Sequence, residues 1–390
     1  MKILFLSFYF EPDLSAGSFR SSSLIKALLK ELPTNSKIEV ITTAPSRYNS
    51  FITNKNDFKV ISGLEVHRVN VPKHKNGFID QSKAFFIFTK KALKISNKKH
   101  YDLIFSTSSR LMTGTLGAVI SKKNKAPLYL DVRDIFVDTI REVIPYQINW
   151  IIIPFFSALE NWTISTAKKV NVVSKGFLPY FYKRYPNKEF KLFMNGIDRD
   201  FVNLVPSRYN RIDQKTLLVV YAGNIGEGQG LDKIIPNLGK KFQGRLKFKV
   251  IGDGGKKEKL VSAIKQLECN NVEVLSPIRR NDLVKVYQEA DVLFLHLNNY
   301  QAFKKVLPSK LFEYAALGKP IWAGIDGYAA EFVNENISNV AIFSPCNLEE
   351  AINSFEKLKI CTQARPDFMR KFDRINIMKD MAKDIIDLKV

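Results

Sequence analysis

Cysteine is scarce in this 390-residue chain: Cys269, Cys346 and Cys361 are its three, far from any CxxC spacing. That excludes a disulfide scaffold and a zinc cluster, and it suits a reducing compartment. Histidine is equally rare. His67, His74, His100 and His296 form neither a metal-ligand spacing nor a Ser/His/Asp pattern, so zinc chemistry and His-based hydrolysis lack support. No apolar run reaches the ~20 residues needed to span a bilayer; the most apolar stretch, 150–159, is interrupted by Pro154. The apolar start that ends at Phe10 is closed by Glu11-Pro12-Asp13 without a small-residue cleavage site, so no secretory signal is expected. Nineteen Gly and 16 Pro are too few for a collagen-like or low-complexity chain.

Acidic residues are also in deficit, 38 Asp+Glu against 60 Lys+Arg, for a net charge of +22. Residues 1–200 hold 31 basic and 16 acidic residues, or +15, leaving +7 for 201–390. Such a surface attracts phosphate-rich partners: nucleic acid, anionic lipid or a phosphorylated substrate. No nucleic-acid reading motif accompanies the charge, and no nucleic-acid partner is expected.

Short apolar runs alternate with amphipathic segments throughout. Residues 2–8, 38–42, 66–69, 103–106 and 128–131 read as strands, and the series restarts at 216–222, 248–251, 272–275, 292–296 and 320–323. This is an α/β pattern of two doubly wound parallel sheets, joined by a polar link near 198–215. Ligands of such sheets bind beyond the carboxyl ends of the strands, so a cleft between two facing domains is expected.

Several Gly-rich turns fall at those ends. Gly223-Asn224-Ile225-Gly226-Glu227-Gly228-Gln229-Gly230 follows one strand and Gly252-Asp253-Gly254-Gly255 the next, each allowing backbone to approach a diphosphate. Neither is a Walker loop or an in-register dinucleotide fingerprint. In Leu307-Pro308-Ser309-Lys310, followed by Leu311-Phe312-Glu313-Tyr314, Pro308 and Ser309 suit a helix start. Lys310 would sit in the first turn, which is disfavoured unless an anion lies against the same end. Glu313, one turn on, could accept hydrogen bonds from sugar hydroxyls. No DxD follows a strand; Asp131-Val132-Arg133-Asp134 is one residue too long and holds a cation.

In order, these stretches, together with 5–12, Ala16-Gly17, Arg20 and 131–134, resemble family 4 of the retaining glycosyltransferases. The likeness is to the bacterial O-antigen and capsule branch that includes fucosamine (FucNAc) transferases. The resemblance implies the GT-B fold, two Rossmann-like domains: 1–205 on the acceptor side, 206–365 for the nucleotide sugar, and 366–390 a helix returning to the first domain. It implies donor contacts at Gly17, Asn224, Gln229, Gly252, Gly254, Pro277, Ser309, Lys310 and Glu313, with Glu313 on the ribose. Arg20 and Arg133 would face the acceptor, and Asp134 is the candidate base beside Glu313 as catalytic residues. Relatives often carry Arg and Lys where this chain has Asn224 and Gln229, and Glu where it has Lys305. More of the diphosphate charge therefore falls to Lys310. No metal or other cofactor is expected, because Lys310 and helix ends take the place of Mg²⁺. The implied reaction moves a sugar, UDP-linked, to a polyprenyl-diphosphate-linked saccharide. A nucleotide-sugar epimerase of the same fold is the alternative.

The basic first half suggests a cytoplasmic enzyme peripheral on the inner face of the cell membrane. In 82–99, Phe85, Phe88, Ala92 and Ile95 share one helical face, Ile87 breaks the pattern, and Lys83, Lys90, Lys94 and Lys98 gather opposite. That pattern fits a bilayer-surface helix with inserted aromatics, or a helix packed on the sheet. Residues 150–156, with Tyr146 nearby, are the second candidate.

Overall fold

A computed structural model describes residues 1–13, 15–45, 61–72, 78–108, 111–143, 146–202 and 216–389. The chain divides into two units, Met1–Asn195 with Arg374–Val390, and Gly196–Asp373. The sequence-based boundary at 205/206 falls outside the described residues, as does 203–215 of the polar link.

The first unit carries β1 (Lys2–Leu6), β2 (Lys37–Thr43), β3 (Leu64–Val69), β4 (Leu103–Thr107), β5 (Leu128–Val132), β6 (Lys169–Val172) and β7 (Phe190–Leu192). They form one sheet in the order β3-β2-β1-β4-β5-β6-β7, parallel throughout. Ile3–Leu6 are wholly buried, as expected where helices cover both faces of a strand. Helix α1 (Ala16–Glu31) starts at Ser15, whose Oγ accepts from the Ser18 N–H at 3.2 Å. The last helix, Arg374–Ile386, packs along α1, so that Met378, Met381 and Ile385 join Phe5, Leu24 and Leu28 in one core.

The crossovers from β3 to β6 run in one direction along the sheet, which places their helices on its other face. These are α2 (Phe78–Ser96), α3 (Leu111–Asn124), α4 (Phe136–Val143) and α5 (Tyr146–Thr166). The aromatic face of α2 is turned inward: Phe85 and Phe88 lie 6.1 and 5.2 Å from the ring of Phe8, and Ala92 is buried with them. Insertion of Phe85 and Phe88 into a bilayer is thereby overturned, since the sheet needs that face as cover. Phe86 and the lysines face outward.

The second unit carries β8 (Leu217–Asn224), β9 (Leu246–Asp253), β10 (Val272–Leu275), β11 (Val292–His296), β12 (Ile321–Gly324) and β13 (Val340–Phe343). They run parallel in the order β10-β9-β8-β11-β12-β13, around a core centred on Trp322. The strand order reverses between β8 and β11, and beyond the carboxyl ends there lies the crevice in which such sheets bind ligands.

Candidate functional site

Register places the glycine turns side by side: Gly223 pairs with Gly252, and Asn224 with Asp253. At Gly252 (φ +159°) a Cβ would overlap the Gly223 carbonyl, so the two strand ends meet only as glycines. Lys310 reaches this point from the start of the helix Lys310–Ala316. Its Nζ lies within clash distance of a Cβ built on Gly223 (φ +152°), and 5.4 Å from the ring centroid of buried Tyr221. The Tyr221 hydroxyl donates to the Asn224 carbonyl at 2.6 Å. The half-buried Gly223 and the buried Gly252 thus meet as neighbouring strand ends, with the Lys310 ammonium against the first of them.

Asn224 and Gln229 lie beside this patch but spend their side chains on the loop. Asn224 Nδ2 donates to Gln229 Oε1 at 2.8 Å, and the Gly226 N–H donates to the same oxygen at 3.3 Å. The two side chains form a neutral clip. Gly254 approaches the Ile225 carbonyl and the Asn224 side chain. Cations do flank the loop from positions the sequence reading passed over. Lys256 pairs with Glu227 at 2.6 Å, and Lys233 donates to Asn298 Oδ1 at 3.0 Å. Contacts to Lys256 and to the Tyr300 hydroxyl hold the Glu227 carboxyl below its usual range, against the smaller opposing effect of burial.

Ser309 occupies the N-cap but is already helical (φ −61°, ψ −26°), and its side chain makes no cap bond, so the capping role expected for it is not realised. Glu313 is a neighbour of Lys310 on that helix, and its Oε1 accepts from Arg280 Nη1 at 3.1 Å. Arg280 was not anticipated. It also donates to Asp198 Oδ2 at 2.9 Å and Asp200 Oδ2 at 3.3 Å, and it stacks over Phe201. Burial pulls its pKa down, but the three carboxylates prevail and hold it above the ordinary arginine value. Pro277 lies just beyond β10, three residues before Arg280. His296 ends β11 fully buried. Its Nδ1 donates to the Gln229 carbonyl (2.6 Å) and its Nε2 accepts from the Cys346 N–H (2.9 Å), which fixes a neutral tautomer. Burial pushes its pKa down to about 4. It is a structural clip.

In the first unit, Arg20 is buried and forms a two-pronged pair with Asp131, both distances 3.0 Å. It also donates to the carbonyls of Met194 (2.7 Å) and Phe193 (2.9 Å). The acceptor-facing role expected of Arg20 is therefore corrected: it locks α1 to β5 and to the segment after β7. Arg133 stands nearer the surface. Its Nη2 donates to Asn195 Oδ1 at 3.3 Å, and its Nη1 is 3.5 Å from the place a Gly17 Cβ would occupy. Burial lowers its pKa to about 10, although Asp131 opposes the shift. Asp134, the residue after Arg133 and beyond the end of β5, accepts from Thr139 Oγ1 at 3.3 Å, and burial raises its pKa to about 6. It lines a small cavity with Ser108, Phe136, Glu160 and Thr163. Burial raises Glu160 as well, against the Tyr180 hydroxyl that donates to it at 2.8 Å.

Among the described residues, one cluster has a metal-binding outline, Glu39, Glu65 and His67 on β2 and β3. Lys2 and Lys99 pair with Glu39, so the chain's own cations already compensate it. No helix among those residues is long and apolar enough to cross a membrane.

Comparison with known proteins bears on the fold. Residues 207–371, nearly the whole second unit, match the family model described as Glycosyl transferases group 1. The putative colanic acid biosynthesis glycosyl transferase WcaI of Escherichia coli (strain K12) is 25% identical over 230 residues, covering 57% of this chain and 56% of that one. The match thus spans little more than half of that relative. Among solved structures, Anabaena HepE in complex with UDP matches with a TM-score of 0.65 at 18% identity, covering 99% of this chain and 100% of that one. Sucrose-phosphate synthase of Thermosynechococcus elongatus matches with a TM-score of 0.74 at 13% identity, covering 99% and 98%. The fold is GT-B, with two Rossmann-like units.

Proposed function

We propose that this chain is a retaining glycosyltransferase of bacterial surface-polysaccharide assembly, working in the O-antigen or capsule branch that includes fucosamine transferases. It takes a hexosyl-type sugar from a UDP-linked donor and passes it to a polyprenyl-diphosphate-linked saccharide at the inner face of the membrane. The observation that carries this reading is the Lys310 ammonium set against Gly223, which pairs with Gly252 at the carboxyl ends of β8 and β9. Diphosphate can lie against that backbone without meeting a Cβ, and Lys310 supplies the charge that Asn224 and Gln229 do not. Glu313, held by Arg280, accepts from the ribose hydroxyls. Pro277 and Ser309 flank the donor. Gly17 is assigned to the donor and Arg133 to the acceptor, and Asp134 is the protein base, assisted by the leaving diphosphate itself. Charge neutralisation by Lys310 makes a metal unnecessary.

The test is a panel of nucleotide sugars incubated with and without a polyprenyl-diphosphate saccharide, in EDTA. Sugar transfer that depends on the acceptor and persists in chelator is expected. Conversion of the donor without acceptor indicates an epimerase, and rescue by Mg²⁺ or Mn²⁺ overturns the metal-free reading.

A further inference from the structure

Helix α5 turns Glu160 and Thr163 inward. Glu160 and Thr163 are buried and line the Asp134 cavity together with Ile164. The opposite face is apolar and open. Ile148, Ile151, Phe155 and Trp162, spaced by three, four and seven residues, form one stripe beside Trp150. Trp150 is 74% and Phe155 61% exposed. At about 1.5 Å per residue the stripe is roughly 21 Å long, and α5 has no basic residue and no acidic one besides buried Glu160. A continuous exposed apolar surface of this kind marks an interaction site.

Its surroundings say what covers it. α3 packs between α2 and α5 on the same face of the sheet. The outer face of α2 presents Lys83, Lys90 and Lys94 around Phe86, itself 70% exposed, and the last turn of α3 adds Lys122 and Lys123. Exposed acidic residues on these three helices, among those described, come down to Asp80. An apolar, Trp-containing stripe beside a field of lysines complements an anionic bilayer, where tryptophan settles at the headgroup level and lysine meets the phosphates.

We infer that the outer face of α5, with Phe86 and the lysines of α2, is the surface by which this protein docks on an anionic bilayer. The inference rests on the membrane-side reading proposed above and replaces the inward-facing Phe85 and Phe88 with residues that lipid can reach. The inner face of α5 walls the cavity of Asp134, so docking seats the candidate base near the bilayer.

The full chain is mixed with vesicles of phosphatidylcholine alone or with phosphatidylglycerol added, and bound protein is sedimented. Of the three tryptophans, Trp322 is fully buried, so an emission change reports Trp150 and Trp162. Binding to the anionic vesicles with a blue shift is expected. Ile151→Ser with Phe155→Ser should lower partitioning at least tenfold at an unchanged melting temperature, and Lys83, Lys90 and Lys94→Glu should abolish the preference for phosphatidylglycerol. Wild-type partitioning by the double variant, binding without a blue shift, or a wild-type dimer that the variant dissolves overturns the assignment. The sedimentation uses no sugar donor, so a protein that partitions as expected but transfers no sugar refutes the proposed reaction and leaves the surface standing.

Discussion

Replacing Lys310 by alanine removes the cation poised against Gly223 and leaves the glycine backbone in place. A charge-assisted contact to a diphosphate contributes about 1.5–3 kcal/mol, so affinity for UDP should fall about 10- to 150-fold. The fold loses the attraction between Nζ and the Tyr221 ring, about 0.5–1 kcal/mol, which by itself lowers the melting temperature by about 1–4 °C. Gly223→Ala supplies the converse perturbation. It forces a side chain onto a backbone at φ +152° and places its Cβ within clash distance of Lys310 Nζ, so the ammonium must move. Both changes then remove one contact, and the double variant should bind UDP no more weakly than the poorer single variant. Titration calorimetry on the four proteins, with melting curves to confirm folding, measures the coupling. Wild-type affinity in folded Lys310→Ala refutes the site. Losses that simply add show that the glycine and the lysine act apart.

Arg280→Ala should weaken UDP binding while leaving pyrophosphate binding unchanged, because Arg280 acts by positioning Glu313; equal losses for both ligands would place Arg280 on the phosphates. Arg20→Ala leaves Asp131 buried without its partner and should cost about 3–5 kcal/mol of stability, read as a large fall in melting temperature. Normal melting with lost transfer would return Arg20 to a substrate. Asp134 binds its proton up to about pH 6 in the folded chain, whereas the unfolded carboxyl releases it near 3.8. Ionising it therefore lowers stability as pH rises between those values, and its base form dominates above about 6. Transfer rate should climb through about pH 6, and Asp134→Asn should abolish the step and raise the melting temperature at pH 7.

The strands were legible because interior parallel strands bury both faces. Ile3–Leu6 and Val219–Ala222 read as unbroken apolar runs, and the glycines that end β8 and β9 stand where backbone must approach backbone. Arg280 was not legible. Its carboxylates lie 82, 80 and 33 residues away in sequence, so Arg279-Arg280 reads as two surface cations. Arg20 misled for the same reason, since Asp131 is 111 residues distant. In α2 the periodicity identified the apolar face correctly but could not say whether a sheet or a bilayer would cover it. In α5 both faces are apolar, and only the burial of Glu160 and Thr163 reveals which is inside.

Because the helix Arg374–Ile386 fills the groove along α1, the two units finish out of order on the ribosome. The described strands of the first unit are all made by Leu192, yet Met378, Met381 and Ile385 have still to emerge, as has Asp384, which accepts from the Tyr129 hydroxyl. At about 5–20 residues per second, the intervening second unit delays that helix by roughly 10–40 s. During this interval the apolar groove beside Phe5, Leu24 and Leu28 has nothing from its own chain to cover it. Nascent chains stalled there are the ones a chaperone would capture. A truncation before Arg374 would make that transient state permanent, and it would lead to aggregation through the first unit although the second is whole.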